Sequence, residues 1–313
     1  MITTREHTVV NCDFLRDPEG LAARLLHEGV DAHSCQDLHV DFLRKTLRET
    51  DPAYSELCAD IRTCLIDAHQ PRFVVLRGLP FIPYHEKGIE ELLLCLAASI
   101  GFPTETDLCH GRRVWPVTPR KDLQPDHHPT ISEHNYMAAL HTDSAYRPVP
   151  EQYVMLYAVR PARDGGGELY VVDGRSLLDD LAESTDGQRC LHVLRKTEFS
   201  FRVPDSFTKT LNPSEYEWIF APVVGDVPLL RYRHDVMVDP GSPRQLSGEQ
   251  CDALTFFTRA LETFSRTSFR LEAGDMLLTN NHEILHGRTG FTDMNRLLLR
   301  IRMEKDDSLL QNV

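Results

Sequence analysis

The residues best placed to do chemistry lie in Ala139-Leu140-His141-Thr142-Asp143-Ser144-Ala145-Tyr146. Their centre is a His-x-Asp pair in apolar sequence. On an extended strand alternate side chains share a face, so His141 and Asp143 would aim an imidazole nitrogen and a carboxylate oxygen at one point, with Thr142 turned away. Two such ligands with open positions beside them suit a divalent metal that must also hold a substrate. A second histidine completes the two-histidine, one-carboxylate facial set that binds non-haem iron(II). The chain offers one far downstream, His286, in Asn280-Asn281-His282-Glu283-Ile284-Leu285-His286-Gly287-Arg288-Thr289-Gly290-Phe291. His282 lies one helical turn from His286 if that segment is helical. This metal set wants a loop or strand, so His282 is excluded.

A lone His-x-Asp arises readily by chance. Three further pieces follow it in order: a Gly-rich turn and strand from Asp164 to Asp173, the His286 segment, and the closing run Arg296-Leu297-Leu298-Leu299-Arg300-Ile301-Arg302. Arginine offers a rigid fork that binds a carboxylate through two parallel hydrogen bonds. The ordinary reading of arginines on a strand is a solvated face, but Leu297-Leu298-Leu299 argues against full exposure. Softer candidates flank the metal segment. Asn135, Tyr136, Tyr146 and Arg147 could meet substrate, as could Arg231, which alternates with Arg233 on a late strand.

The elements that must position these residues read as follows. Leu21 to Leu26, Leu38 to Leu47 and Tyr54 to Leu65 have helical spacing, and Asp51-Pro52 is a helix start. Arg72 to Leu79 is a short buried strand, and Ile89 to Ile100 an apolar helix closing at Gly101. Pro103 to Asn135 carries five prolines together with His110, His127, His128 and His134, and reads as a long loop or lid beside the metal strand. Gln152 to Val159 and Glu168 to Val172 read as two strands of a hairpin joined by Asp164-Gly165-Gly166-Gly167. That turn lacks a following Lys-Ser/Thr and a helix, so it is no nucleotide loop. Leu177 to Leu194 reads as one helix, and Phe199 to Val203, Trp218 to Val224 and Pro228 to Val238 as strands. Leu246 to Phe264 reads as a helix started at Ser247. The expected class is α+β with a mainly β core, a sandwich or jelly roll carrying a helical layer.

Composition bounds the function. The 313 residues can bury a large core, and 41% hydrophobic with 26% charged residues is ordinary for a globular chain. A formal charge of -13 without a basic run excludes a nucleic-acid partner. None of the eight cysteines forms a Cys-x-x-Cys pair, so no thiolate zinc site is expected, and their scatter reads as reduced thiols. The first residues lack an apolar signal core, and no apolar run reaches the ~18 residues that span a bilayer. The expectation is a cytoplasmic protein with no membrane partner and a small-molecule substrate. Homo-oligomerisation is left open.

Taken in this order, the segments resemble the iron(II)- and 2-oxoglutarate-dependent dioxygenases of the taurine dioxygenase/TfdA group, especially the clavaminate synthase-like branch. The resemblance covers about Arg72 to Arg302. Its landmarks are Phe73 to Leu79, Leu140-His141-Thr142-Asp143, Gly166-Gly167-Glu168, Gly274 to Leu278, Leu285 to Phe291, and Arg296-x-x-x-Arg300. It implies a single dioxygenase domain over 1–313. A helical layer would cover about 1–70, a double-stranded β-helix of the cupin kind about 71–305, and a lid-like insertion about 103–135. It also implies iron(II) on His141, Asp143 and His286, with 2-oxoglutarate and O2 as cosubstrates. Arg296 matches the arginine that holds the distal carboxylate of 2-oxoglutarate. Arg300 matches a second arginine that meets substrate or assists the cosubstrate, and the two could exchange roles. Arg288, in the His-Gly-Arg-Thr signature, would orient its loop by hydrogen bonds.

One departure stands out. Relatives often place a Thr or Ser after the Gly-Gly-Glu turn as a second anchor, where this chain has Leu169, or Glu168 under a one-residue slip. The retained Asp143 implies hydroxylation rather than halogenation, which needs that position open for halide. The activity implied is hydroxylation of a C–H in a small polar metabolite, such as an amino acid or related carboxylate, with release of succinate and CO2. Alternatives are desaturation, ring closure or isonitrile formation by the same class in specialised metabolism, a β-helix protein that binds without turnover, and a zinc hydrolase.

Overall fold

The computed structural model describes residues 9–11, 21, 24, 25, 27, 40–50, 52–79, 86–106, 111–121, 130–204, 207 and 217–309. In chain order its elements begin with β1 Val9–Asn11, α1 Val40–Thr50, α2 Pro52–Ile66, β2 Phe73–Arg77 and α3 Glu86–Ile100. Then come β3 Phe102–Pro103, β4 Val114–Val117, β5 Ala138–His141, β6 Tyr153–Arg160 and β7 Leu169–Asp173. Helices α4 Gly174–Ala182 and α5 Thr185–Lys196 lead to β8 Phe199–Arg202, β9 Trp218–Ala221, the short α6 His234–Met237 and α7 Gly248–Thr263. The chain closes with β10 Thr267–Phe269, β11 Met276–Asn280, β12 Ile284–Arg288 and β13 Leu297–Glu304.

The strands form two main sheets. The larger runs β1-β2-β11-β6-β13-β3, with β4 also on β13. It is antiparallel except for the β1–β2 pair. The smaller runs β10-β7-β12-β5 and is antiparallel throughout. Strands β8 and β9 pair separately.

Near-continuous apolar runs in the larger sheet follow from burial on both faces, because alternate side chains enter different layers. On β6, Tyr153, Met155 and Tyr157 join the core under α1, α2 and α3. Their neighbours Val154, Leu156 and Ala158 join the core shared with the smaller sheet. On β13, Leu297, Leu299, Ile301 and Met303 face the helices and Leu298 faces inward. Arg300 and Arg302 share the parity of Leu298, so strand geometry directs both towards the space between the sheets. Each fully buried aliphatic side chain contributes roughly 1.5–3 kcal/mol. On its other face, the smaller sheet packs against α4, α5 and α7 through Tyr170, Val172 and Leu285.

Several sequence expectations are corrected. Strands β6 and β7 do not form a hairpin: β6 pairs β11 and β13, whereas β7 pairs β10 and β12. The Gly-rich turn therefore carries the chain from one sheet to the other. The helix expected from Leu177 to Leu194 is two helices, because Ser184 leaves helical geometry and caps α5 by accepting from the Gly187 N–H. Pro228 to Val238 is not a strand; it makes an isolated bridge from Leu230 to Val224 and then α6. The expected loop from Pro103 to Asn135 contributes β4 to the larger sheet. His110, His127 and His128 lie outside the described residues. The start expected at Ser247 is found as a capping box with Gln250.

Candidate metal and cosubstrate site

Two histidines meet because their strands are neighbours. His141 ends β5, and in the register of the sheet it lies opposite His286 on β12. On its other side His286 lies opposite Val171 of β7. The two imidazole rings are 4.4 Å apart between centroids. Gly287 permits this packing: a Cβ there would lie 2.4 Å from the Tyr170 ring and 2.7 Å from the Ala138 carbonyl. His141 Nδ1–H donates to the Ala139 carbonyl at 2.8 Å, which leaves Nε2 free to ligate. Burial, and then His141 beside it, pushes the pKa of His286 down to about 3. His286 is therefore neutral at pH 7, the form that binds metal.

Asp143 arrives by a different route from the expected strand alternation. The strand stops at His141. Thr142 turns away as expected, donating its N–H to the Tyr232 carbonyl at 2.8 Å and accepting the Tyr232 N–H on Oγ1 at 3.0 Å. Asp143 opens a turn in which Ser144 takes a left-handed φ of 58°. Asn281 clamps this turn. Its Oδ1 accepts the Asp143 N–H at 2.7 Å, and its amide donates to the carbonyls of Asp143 at 3.0 Å and Glu151 at 2.9 Å.

The Asp143 carboxylate divides its oxygens. Oδ1 lies 3.6 Å from His141 Nε2 and 4.0 Å from His286 Nε2. Oδ2 meets Arg300 Nη1 at 3.1 Å and Arg302 Nε at 3.3 Å. Burial opposes ionisation of Asp143, but Arg300 and Arg302 outweigh it and hold the carboxyl well below the usual range. One ligand atom from each of His141, Asp143 and His286 lies within 4.8 Å of the others. An ion about 2.0–2.2 Å from each ligand needs them no more than about 4.4 Å apart, a separation that small side-chain rotations reach. Two imidazoles and one carboxylate on one side of an open space fit a facial iron(II) site.

That space is a pocket between the sheets that opens to solvent. Val117, Leu156, Leu169 and Leu298 give it apolar walls, and Arg288, Arg296 and Arg300 border it. Arg296 is 3% exposed, and no carboxylate among the described residues pairs with it. Burial, and then the neighbouring Arg288, lowers its pKa to about 9. Its guanidinium lies 4.8 Å from the centre of the Phe291 ring, as does that of Arg288. A buried charge without a counter-charge costs several kcal/mol, so Arg296 calls for an anion that the described residues do not supply. Gly167, at φ +73°, brings the Gly-rich turn close enough that a Cβ would stand 3.1 Å from Arg296 Nε. No hydroxyl takes the second-anchor position. Leu169 lines the cavity, and Glu168 holds Thr289 through its backbone.

The softer candidates divide differently. Arg231 gives its guanidinium to the carbonyls of Ala145, Arg147 and Pro148, so it braces the turn after Asp143. Arg147 pairs with Glu151 and donates to the Glu105 carbonyl. Tyr146 is buried, and its hydroxyl accepts from Arg302 Nη2 at 3.1 Å. Tyr136 is exposed, and Asn135 donates to the Phe291 carbonyl at 2.9 Å. Arg288 donates to the carbonyls of Ile131, His134 and Tyr136, the loop-orienting contacts expected of it. His282 bonds the Pro150 carbonyl at 2.9 Å and is not in the metal-ligating cluster. Sequence reading missed Asn281 and Arg302. Arg302 was detectable, two residues beyond Arg300 on the same strand face. Asn281 carried no signal, because its partners are backbone atoms distant in sequence.

Residues 45–302 match the Taurine catabolism dioxygenase TauD, TfdA family. The chain belongs to this family. By membership it is an iron(II)- and 2-oxoglutarate-dependent oxygenase. Among solved structures it is similar to an asparagine oxygenase in complex with Fe(II), 2S,3S-3-hydroxyasparagine and succinate. That likeness has 22% identity and a TM-score of 0.71, and covers 96% of this chain and 94% of the other. It is also similar to the non-heme iron oxygenase OrfP in complex with Fe, succinate and (3S)-hydroxy-L-Arg, at 18% identity and a TM-score of 0.70, covering 95% and 94%. OrfP in complex with Fe and alpha-ketoglutaric acid matches at 17% identity with a TM-score of 0.67, covering 95% and 94%. No curated protein matches the chain. No helix among the described residues is long and apolar enough to cross a membrane.

Proposed function

We propose that this oxygenase hydroxylates an unactivated C–H of a small polar metabolite, an amino acid or related carboxylate. It would consume 2-oxoglutarate and O2 and release succinate and CO2. The observation that carries the reading is Arg296, a buried guanidinium without a counter-charge among the described residues, in one cavity with the His141, Asp143 and His286 set. His141, Asp143 and His286 would hold iron(II), which when bound supplies the oxygen chemistry. Arg296 would take the distal carboxylate of 2-oxoglutarate, whose methylenes would lie against Leu156, Leu169 and Leu298. Arg300 borders the same cavity, and its Nε and Nη2 have no partner, so it offers donors to a carboxylate near the metal ligands. The apolar walls would limit the water beside a bound substrate. A double-stranded β-helix is the arrangement we assign to the two facing sheets.

An amino-acid substrate is supported by the hydroxyasparagine and hydroxyarginine in the two similar oxygenases. The test is a screen of free amino acids with iron(II), 2-oxoglutarate and O2, read by succinate and by product mass. Succinate matched by a product that gains one oxygen atom is expected. A product that loses two hydrogens would instead assign desaturation or ring closure. Succinate unchanged by every amino acid would contradict the substrate class.

A further inference from the structure

Asp143 is met by two arginines where one would neutralise it, and they differ in what else they reach. Both approach Oδ2, Arg300 through Nη1 at 3.1 Å and Arg302 through Nε at 3.3 Å. Arg300 borders the cavity and keeps Nε and Nη2 without partners. Arg302 is 1% exposed and does not line the cavity. Its Nη2 donates to the Tyr146 hydroxyl at 3.1 Å. Its guanidinium lies 5.8 Å from the Tyr146 ring centre and 5.3 Å from that of Phe207. Those two rings stack 5.6 Å apart. A hydroxyl and two aromatic faces thus hold Arg302, although its Nη1 has no partner among the described residues; Arg300, 5.9 Å from the same Phe207 ring centre, has two such buried donors and borders the cavity.

We propose that Arg302 is the standing counter-charge of Asp143: it keeps Oδ2 occupied and Oδ1 with the two histidines, and so leaves Arg300 able to turn to an anion in the cavity. The proposal rests on the oxygenase reading of the site. Were Arg300 the sole partner of Oδ2, any anion that recruited it would strip a buried carboxylate oxygen of its donor, a costly loss. With Arg302 in place, Arg300 exchanges partners without that loss. Arg302 is therefore a positioning residue that acts through Asp143 and touches no ligand.

The experiment is an anaerobic titration of full-length protein, loaded with iron(II), with 2-oxoglutarate, followed by visible absorption. The chains compared are wild type, Arg302→Met, Arg302→Lys and Tyr146→Phe, with circular dichroism as the folding control. Arg302→Met keeps length but removes the charge, and the Kd for 2-oxoglutarate should rise at least ~tenfold, in line with losses at residues that orient metal ligands. Arg302→Lys restores the charge and should stay within about threefold of wild type, a rescue that lost packing alone would not give. Tyr146→Phe removes the hydroxyl that holds Arg302 and should raise the Kd a few-fold. An Arg302→Met protein within about twofold of wild type overturns the proposal, as does an Arg302→Lys protein that loses as much as Arg302→Met. If Arg302→Met fails to fold, Tyr146→Phe decides, and an unchanged Kd there overturns it. A wild-type protein that forms no absorbing complex would instead sink the oxygenase reading itself.

Discussion

Arg296 is the residue whose energetics most require a ligand. It is buried beside Arg288, which raises the cost of its charge, and no carboxylate of the described chain offsets it. Replacing it by Met removes one side of a buried charge pair in the ligand complex, at about 2 kcal/mol or more, which is roughly thirtyfold or more in Kd for 2-oxoglutarate. Isothermal titration with the metal-loaded protein checks this, and an unchanged Kd would move the anchor to Arg300. That His141, Asp143 and His286 meet and that Arg296 borders the same pocket was legible in the sequence, because each pairs an unusual residue type with a spacing or order that chemistry restricts. Arg147 and Arg231 were not. Sequence shows that a guanidinium is present but not whether it is already saturated, and in Arg231 it is saturated by three carbonyls of the turn it braces.

At the scale of elements, the site depends on the pairing of β5 with β12 and on the turn that follows β5. The pairing sets the two histidines opposite each other, and Asn281 fixes the turn. Asn281→Ala deletes three buried hydrogen bonds to backbone groups, each worth about 0.5–1.5 kcal/mol net. A loss of about 2–4 kcal/mol in urea unfolding is expected, together with weaker metal binding as Asp143 loses its place. Gly287→Ala should also destabilise, by about 1–3 kcal/mol of overpacking against Tyr170 and the Ala138 carbonyl; thermal melting checks it. The strands of the larger sheet were legible because burial on both faces leaves an unbroken apolar run. The pairing of β6 with β7 was misread, because adjacency in sequence and a Gly-rich turn suggest a hairpin whether the chain returns along the same sheet or crosses to the facing one. The extended path expected for Asp143 failed for a related reason: local sequence does not show that Thr142 docks on Tyr232 and ends the strand.

At the scale of the molecule, a chain of formal charge -13 places three arginines around one cavity. The local field there opposes the overall charge and favours a dianion such as 2-oxoglutarate. The same burial makes the metal-free protein sensitive to acid. His286 holds its pKa at about 3, and His134, through burial and then Arg288 and Arg233, at about 4. In the unfolded chain both would titrate near about 6.5. The folded state thus refuses protons that the unfolded chain accepts. The stabilisation is complete above that value and is lost progressively as pH falls towards about 3. Melting temperature of the metal-free protein should therefore fall as pH drops from about 6.5 to about 4. His286→Gln should flatten that slope, and an unchanged slope would remove His286 from the account.

The most direct measurement for the central claim is anaerobic visible absorption of the protein with iron(II) and 2-oxoglutarate added separately and together. A band that needs both, and that is lost in His286→Ala and weakened in Arg296→Met, is the predicted result. No band with both present, or one that survives the loss of His286, would contradict it.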